Sequence, residues 1–242
     1  MLKPFRMHDL SSYQGKELAL FEKAANWKRY WSSFVLPHIG TRVAEVGAGL
    51  GANTQILYKD NAEQWLLVEP DNSMSELLEK KIMSNELPTR CRMIHGTLSS
   101  FGQTPQFDTI IYIDVLEHIG NDSAEVKTAA DLLLPGGKLI ILSPAFQSLF
   151  SLFDKAIGHY RRYTKRTLKQ VIPPSLKAVT VRYLDSTGFL MSMTNRLFLK
   201  QKYPTQKQVN FWDRKGVPVS RITDRLLFFS FGKTILGVWE KL

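Results

Sequence analysis

Residues 43–51, VAEVGAGLG, decide the fold of this 242-residue chain. A short apolar run containing Glu45 is followed by glycines at positions 47, 49 and 51. A glycine-rich turn after a strand lets the backbone approach a nucleotide-like ligand, because no Cβ atom stands in the way. The spacing differs from the G-x-G-x-x-G turn that holds a dinucleotide pyrophosphate. A carboxylate at Glu45 instead favours a ligand that carries an ammonium or sulfonium group.

Apolar runs rich in β-branched residues alternate with helical patterns, which predicts a parallel sheet wound with helices. The run Pro135-Gly136-Gly137 cannot continue a helix and is expected to end one. We expect strands at residues 42–46, 65–69, 90–94, 109–113, 138–143, 178–183 and 234–239, and helices from residue 54, over 73–85 and over 123–134.

Four motifs in this order and spacing resemble those of the class I S-adenosylmethionine-dependent methyltransferases. They are E-x-G-x-G-x-G from Glu45, an acidic strand end at Glu69, F-D-x-I-x-x-x-x-V-L-E-H at 107–118 and L-L-L-P-G-G-K-L at 132–139. The resemblance covers about residues 26–145 and is closest to small-molecule enzymes of bacterial polysaccharide and natural-product pathways. It implies a methyltransferase with an α/β, Rossmann-like fold: a seven-stranded sheet, helices on both faces, an N-terminal helical lid and an insertion after strand 5.

The resemblance also implies a site for S-adenosylmethionine at the carboxyl ends of the strands, with S-adenosylhomocysteine as product and no metal. Glu69 is expected to accept hydrogen bonds from both ribose hydroxyls. Thr97, or the backbone at Leu98, takes the place of the family's adenine-binding Asp, and Tyr13 is a lid contact. The expected cofactor contacts are Tyr13, Glu45, Gly47, Ala48, Gly49, Gly51, Asn53, Thr54, Glu69, Pro70, Asp71, Thr97, Leu98, Asp114 and Val115.

The acceptor site is predicted in GHYRRYT, residues 158–164, just after the fifth strand. His159 is a titratable base, and two adjacent guanidiniums suit bidentate binding of a carboxylate or phosphate. The alternative interpretation is a basic helix start whose tyrosines pack on the core, and His118 can equally cap or pack the helix after it. Candidate catalytic residues are His159, Tyr160 and His118, and candidate substrate contacts are Arg161, Arg162 and Tyr163.

Charge is distributed unevenly along the chain. Residues 1–154 hold 14 Lys+Arg and 18 Asp+Glu, a net −4, whereas residues 155–242 hold 18 and 4, a net +14. This asymmetry favours an acidic partner, although a solvated basic surface explains it as well. We therefore predict O-methylation of an anionic small-molecule, peptide carboxylate or glycan acceptor. A nucleic-acid methyltransferase is disfavoured because the fourth strand lacks a D/N-P-P-Y/F tetrad; a non-catalytic partner subunit is the remaining alternative.

The chain is expected to form one domain. Its parts are an N-terminal helical cap at 1–40, a cofactor-binding core at 41–145, an acceptor-side insertion at 146–176 and C-terminal strands with a basic connection at 177–242. The apolar run 226–231 is expected to pack as core rather than to contact lipid. A single cysteine, Cys91, and the lack of a signal sequence or membrane-spanning run favour a cytoplasmic protein. The sequence leaves the oligomeric state open.

Overall fold

The computed structural model describes residues 23–102, 104–196 and 203–242. Tyr13 and most of the expected N-terminal cap therefore lie outside the described residues. The strands are β1 Arg42–Val46, β2 Gln64–Glu69, β3 Cys91–His95, β4 Phe107–Ile113, β5 Leu133–Pro144, β6 Leu176–Leu184 and β7 Thr234–Lys241. The α-helices are α1 Ala25–Val35, α2 Thr54–Leu57, α3 Asn72–Met83, α4 Asp122–Leu132, α5 Leu152–Ala156, α6 Lys165–Val171, α7 Ser186–Thr194, α8 Gln206–Phe211 and α9 Val217–Leu226.

The seven strands form one sheet in the order β3-β2-β1-β4-β5-β7-β6. The first five strands run parallel, and β7 lies antiparallel between β5 and β6. This confirms the predicted Rossmann-like methyltransferase sheet. The strand order reverses between β1 and β4, so the loops after these two strands diverge and leave a crevice at their carboxyl ends.

Every predicted strand is present, and the largest difference concerns β5. Its first residue, Leu133, already pairs with Phe107, and the register then shifts before Thr109 pairs with Lys138. Helix α4 therefore ends at Leu132, two residues before the predicted end, and Pro135-Gly136-Gly137 lies inside the irregular start of the strand.

Apolar side chains cover both faces of the sheet. On one face, Trp31 and Val35 of α1 belong to the same buried cluster as Val43 and Trp65 of the strands. On the other face, Ala129 of α4 belongs to a second buried cluster. Strands buried on both faces read as continuous apolar runs, which is why their positions are visible in the sequence.

The long connection between β6 and β7 is mostly helical and is organised by buried carboxylates. Asp224 accepts hydrogen bonds from the backbone N–H groups of Asp185 (2.7 Å) and Ser186 (2.9 Å), and from the Tyr30 hydroxyl (2.9 Å). Asp185, at φ +69°, accepts from the Trp212 indole at 2.9 Å. These contacts join α9 to the start of α7 and to α1, and no local motif predicted them.

The prediction that residues 226–231 pack as core is wrong for most of the run. Leu226, Leu227 and Phe228 are exposed, whereas Phe229 packs against Phe34. Helix α9 ends at Leu226, and the turn that follows directs these side chains outward. Within the described residues, no helix combines the length and apolarity that crossing a bilayer requires.

Replacing Asp224 with alanine is expected to destabilise the fold by about 3 kcal/mol, because three buried donors lose their shared acceptor. Urea unfolding measures this loss. The matched control is Asp131→Ala, since Asp131 forms an exposed pair with Lys127 and should lose less than about 0.5 kcal/mol. Equal losses in the two variants would contradict the assigned role of Asp224.

Candidate active site

The glycine turn after β1 adopts backbone angles that favour glycine. Gly47 has φ +66° and Gly51 has φ +75°. A Cβ atom on Gly47 would lie 2.5 Å from the Val115 side chain, and one on Gly51 would lie 2.7 Å from the Leu87 side chain. Gly47 therefore allows the loop after β4 to approach the turn, while Gly51 allows the turn to pack against the core.

Glu69, at the end of β2, supports this turn directly. One carboxylate oxygen accepts a hydrogen bond from the Gly49 N–H at 2.9 Å, and the other accepts from the Asp71 N–H at 3.0 Å. Burial raises the pKa of Glu69 above its ordinary value. The Glu69 carboxylate thus links the glycine turn after β1 to the loop after β2. It can bind further donors, because each carboxylate oxygen can accept more than one hydrogen bond.

Two cavities meet over the glycine turn. The strand-end cavity, of about 350 Å³, extends over the ends of β2 and β3, and the histidine cavity, of about 250 Å³, extends toward the segment after β5. Both are lined by Gly47, Gly49, Asp114 and His118. Of the predicted cofactor contacts, the strand-end cavity adds Glu69, Pro70, Asp71, Thr97 and Val115, and the histidine cavity adds Ala48 and Asn53.

Four predicted cofactor contacts do not line either cavity: Glu45, Gly51, Thr54 and Leu98. Glu45 points into the core, where one carboxylate oxygen accepts hydrogen bonds from the Thr54 hydroxyl (2.9 Å) and the Trp65 indole (3.0 Å). Burial raises the pKa of Glu45 to about 7. Side chains alternate along a strand, so Glu45, two residues before the turn, lies on the same face of β1 as the buried Val43 and is directed into the core.

Asp114 occupies a strained position at the end of β4. It has φ +54°, an uncommon value for a residue other than glycine, and its N–H donates to the Leu142 carbonyl at 2.8 Å. The residue is exposed to the open cavities, but desolvation by the surrounding protein raises the pKa of Asp114 to about 6, against the opposing charges of His159, Lys233 and Arg162. The strain presents the carboxylate to both cavities, as the fourth-strand motif predicted.

A buried carboxylate orients His159. Asp154 accepts a hydrogen bond from Nδ1 of His159 (3.0 Å) and two from Arg162, through Nε (2.7 Å) and Nη2 (3.1 Å). Burial alone would raise the pKa of Asp154, but the His159 and Arg162 contacts outweigh it and hold that pKa well below its ordinary value. An ionised carboxylate only accepts, so Nδ1 carries a proton, and in the neutral tautomer with this proton the lone pair lies on Nε2.

Two further titratable groups surround His159. Glu117 lies with Oε1 3.8 Å from His159 Nε2, and its Oε2 accepts from the Ser143 hydroxyl at 3.0 Å. The His118 ring packs edge-on against His159 with centroids 4.5 Å apart. Burial lowers the pKa of His118 to about 4 and, together with the Asp114 charge, raises that of Glu117.

The ligand atoms of Glu117, His118 and His159 lie within 4.8 Å of one another. Two neutral imidazoles and a carboxylate form a donor set that suits a divalent cation such as zinc. The sequence predicted no metal, and this arrangement makes a chelator control necessary in any test of the site.

Apart from Arg162, the rest of the predicted acceptor segment does not line the two cavities. Arg161 pairs with Asp122 at 2.6 Å, and the buried Tyr163 hydroxyl donates to the same carboxylate at 2.7 Å. Tyr160 is exposed. Contrary to the prediction, only Arg162 of the proposed substrate contacts lines a cavity. Its guanidinium already forms an ion pair with Asp154. The extended segment turns successive side chains to different sides, which the residue pattern alone did not reveal.

A third cavity, the apolar cavity, opens beside the histidine cavity and has a volume of about 420 Å³. The two share Phe153, Arg162, Trp212 and Lys233. Its other walls include Leu149, Leu190, Met191 and Val209. These walls come from the insertion after β5 and from α7 and α8, which carry no recognisable motif, so sequence analysis missed the cavity.

Comparisons with known proteins agree with the fold and the glycine turn. Residues 44–139 match the family described as "Methyltransferase domain". A curated relative, "Ubiquinone biosynthesis O-methyltransferase, mitochondrial" from Dictyostelium discoideum, is 24% identical over 151 residues, which are 58% of this chain and 46% of the relative. The chain thus spans about half the length of the curated relative it matches.

Two solved structures share the fold across nearly the whole chain. A geranyl diphosphate methyltransferase in complex with S-adenosylmethionine has a TM-score of 0.65 at 10% identity and covers 98% of this chain and 95% of its own. A SAM-dependent methyltransferase from Archaeoglobus fulgidus has a TM-score of 0.64 at 14% identity, with coverages of 95% and 100%. Identities this low establish a shared fold and leave the substrate open.

Replacing Gly47 with alanine is expected to abolish binding of S-adenosylhomocysteine, because the new Cβ atom would displace Val115 where the two cavities meet. Isothermal titration calorimetry measures the affinity. Gly136→Ala is the matched control: Gly136 has φ +77°, but a Cβ atom there meets no described atom within 4 Å. Both variants should lose about 1 kcal/mol of stability through left-handed strain, and Gly47→Ala should lose more because its Cβ atom clashes with Val115. Unchanged affinity in Gly47→Ala would contradict the assigned site.

Proposed function

We propose that this chain, which belongs to the class I S-adenosylmethionine-dependent methyltransferases, methylates a hydroxyl oxygen on an acceptor with an apolar part. The observation that carries the proposal is the 3.0 Å contact between His159 Nδ1 and Asp154, made by a histidine that lines the same cavity as the glycine turn. This pair resembles the base and orienting carboxylate of other acid–base sites, in which the carboxylate fixes the tautomer of the imidazole.

The proposed donor site is the strand-end cavity together with the glycine turn. Glu69 and Asp71 are proposed to accept the ribose hydroxyls, and Thr97 and Val115 to flank the adenine. The carboxylates of Glu69 and Asp114 disfavour a phosphate group and suit a ligand with a cationic sulfonium. When bound, S-adenosylmethionine supplies an electrophilic methyl group attached to that sulfonium.

The proposed role of His159 is to remove the acceptor's proton. The acceptor oxygen forms its bond to the methyl carbon in line with the carbon–sulfur bond that breaks, and His159 Nε2 takes the hydroxyl proton. The products are a methyl ether and S-adenosylhomocysteine. Asp154 stabilises the imidazolium that forms, and its low pKa keeps it ionised at neutral pH. Such a base typically contributes about 10²–10⁴-fold in rate.

The acceptor is proposed to place its apolar part in the apolar cavity, which joins the histidine cavity beside Arg162 and Lys233. The name of the curated relative is consistent with methylation of an oxygen. The geranyl chain in the name of the other enzyme is consistent only with the apolar part of the acceptor, because geranyl diphosphate has no free alcohol hydroxyl. The sequence-based hypothesis that Arg161 and Arg162 bind an anionic acceptor is weakened, because each guanidinium pairs with an internal carboxylate.

We place this reaction in the cytoplasm and assign it to a single domain, as the sequence predicts.

The test uses tritiated S-adenosylmethionine and a panel of 4-alkylphenols and 4-alkylcatechols. His159→Gln should lower kcat by about 10²-fold or more, because it removes the base, and should leave S-adenosylhomocysteine affinity unchanged. Asp154→Asn should lower kcat as well, since the amide no longer fixes the tautomer. The control is His38→Gln, because His38 lies on the short helical turn after α1 and lines none of the three cavities.

Three results would contradict the proposal. The first is full activity in His159→Gln. The second is no labelled product with any hydroxyl acceptor. The third is activity that a chelator removes and a divalent cation restores, since this would assign Glu117, His118 and His159 to a metal instead of a proton.

A further inference from the structure

Helix α9 exposes apolar side chains and buries polar ones. The side that faces the protein carries Val217, Ser220 and Asp224, which are all fully buried. The side that faces solvent carries Val219, Ile222 and Leu226, which are 50%, 64% and 71% exposed. Their spacing of three and four residues aligns them in one stripe along the helix. A surface helix of a globular protein normally buries such a stripe.

Phe228 extends the stripe and is 86% exposed. The turn after α9 is a Schellman motif, in which the N–H of Phe228 donates to Arg225 O (3.0 Å) and that of Phe229 to Asp224 O (2.7 Å). Phe228 occupies the left-handed position of this motif at φ +49°, where glycine is the usual residue. Neither backbone preference nor packing against the part of the chain that the structure describes accounts for a phenylalanine there.

The charged residues around the stripe are cationic. Between residues 211 and 230, the exposed charged side chains are Arg214, Lys215, Arg221 and Arg225. The two acidic residues in that range, Asp213 and Asp224, are both buried. Asp213 accepts from the Trp27 N–H at 2.8 Å, and Asp224 accepts from the start of α7. In the folded chain, Asp213 and Asp224 are therefore absent from this surface, which carries cations beside apolar side chains.

We propose that this α9 surface, formed by Val219, Ile222, Leu226, Phe228 and the four cations, docks on an anionic lipid bilayer. Apolar side chains of an interfacial helix enter the boundary between head groups and acyl chains, and lysines and arginines are attracted to an anionic leaflet. Charge complementarity selects the lipid surface over a second copy of the chain, because two copies would bring like charges together. The proposal goes beyond methyl transfer and does not depend on it.

The test is sedimentation of the full chain with phosphatidylglycerol vesicles and, separately, with phosphatidylcholine vesicles. The wild-type chain should bind the anionic vesicles, and binding should weaken as salt rises. Leu226→Ser and Phe228→Gly should each reduce the affinity about tenfold or more. Met83→Ser is the matched control, since Met83 is 81% exposed at the end of α3 and should leave binding unchanged.

Phe228→Gly also separates docking from folding. Glycine relieves the left-handed strain at this position, so the variant should unfold at a temperature about 3 °C higher while losing vesicle binding. Three results would overturn the proposal: no binding to phosphatidylglycerol vesicles, equal binding by the α9 variants and wild type, or a dimer in sedimentation equilibrium that Leu226→Ser dissociates. The last result would assign the surface to contact between copies of the chain.

Discussion

The buried carboxylate of Asp154 is the group on which the candidate acceptor site depends. An isolated ionised carboxylate in a protein interior is costly, and its partners must compensate for the lost hydration. Arg162 supplies two hydrogen bonds and a positive charge, and His159 supplies a third donor. The same contacts fix the ring orientation of His159 and hold the segment after α5 across the cavity mouth. One buried ion pair therefore sets both the local fold and the chemistry available to the imidazole.

In residues 155–242, most acidic side chains are buried and most of the described cationic side chains are exposed. Of the four acidic residues, Asp185, Asp213 and Asp224 are buried, and only Glu240 remains near the surface. The formal charge of +14 for residues 155–242 therefore understates how cationic the exposed surface is. The buried aspartates accept from backbone N–H groups and an indole, so they shape the helices around the apolar cavity. Most of the described cations of this part of the chain are exposed to an external partner, whereas Arg161 and Arg162 pair with internal carboxylates.

The donor half of the site could be predicted from sequence because its requirements are local. Gly47 has a positive φ, which favours glycine, and Glu69 ends an apolar strand at a fixed position. Each of these requirements therefore produces a short motif that is visible in the sequence. The orientation of Glu45 was misread, although strand alternation would have directed it into the core. The acceptor half could not be predicted in the same way. The partners of Arg161 and Tyr163 lie about 40 residues earlier, at Asp122, and only the folded chain brings them together.

The central claim is that Asp154 holds His159 with its proton on Nδ1 and a lone pair on Nε2. Long-range ¹H–¹⁵N spectroscopy of ¹⁵N-histidine-labelled protein bound to S-adenosylhomocysteine reports this directly, with His159→Gln used to assign the signals. For the neutral ring, we predict the tautomer protonated at Nδ1, and Asp154→Asn should alter that tautomer. A neutral His159 ring protonated at Nε2 would contradict the central claim.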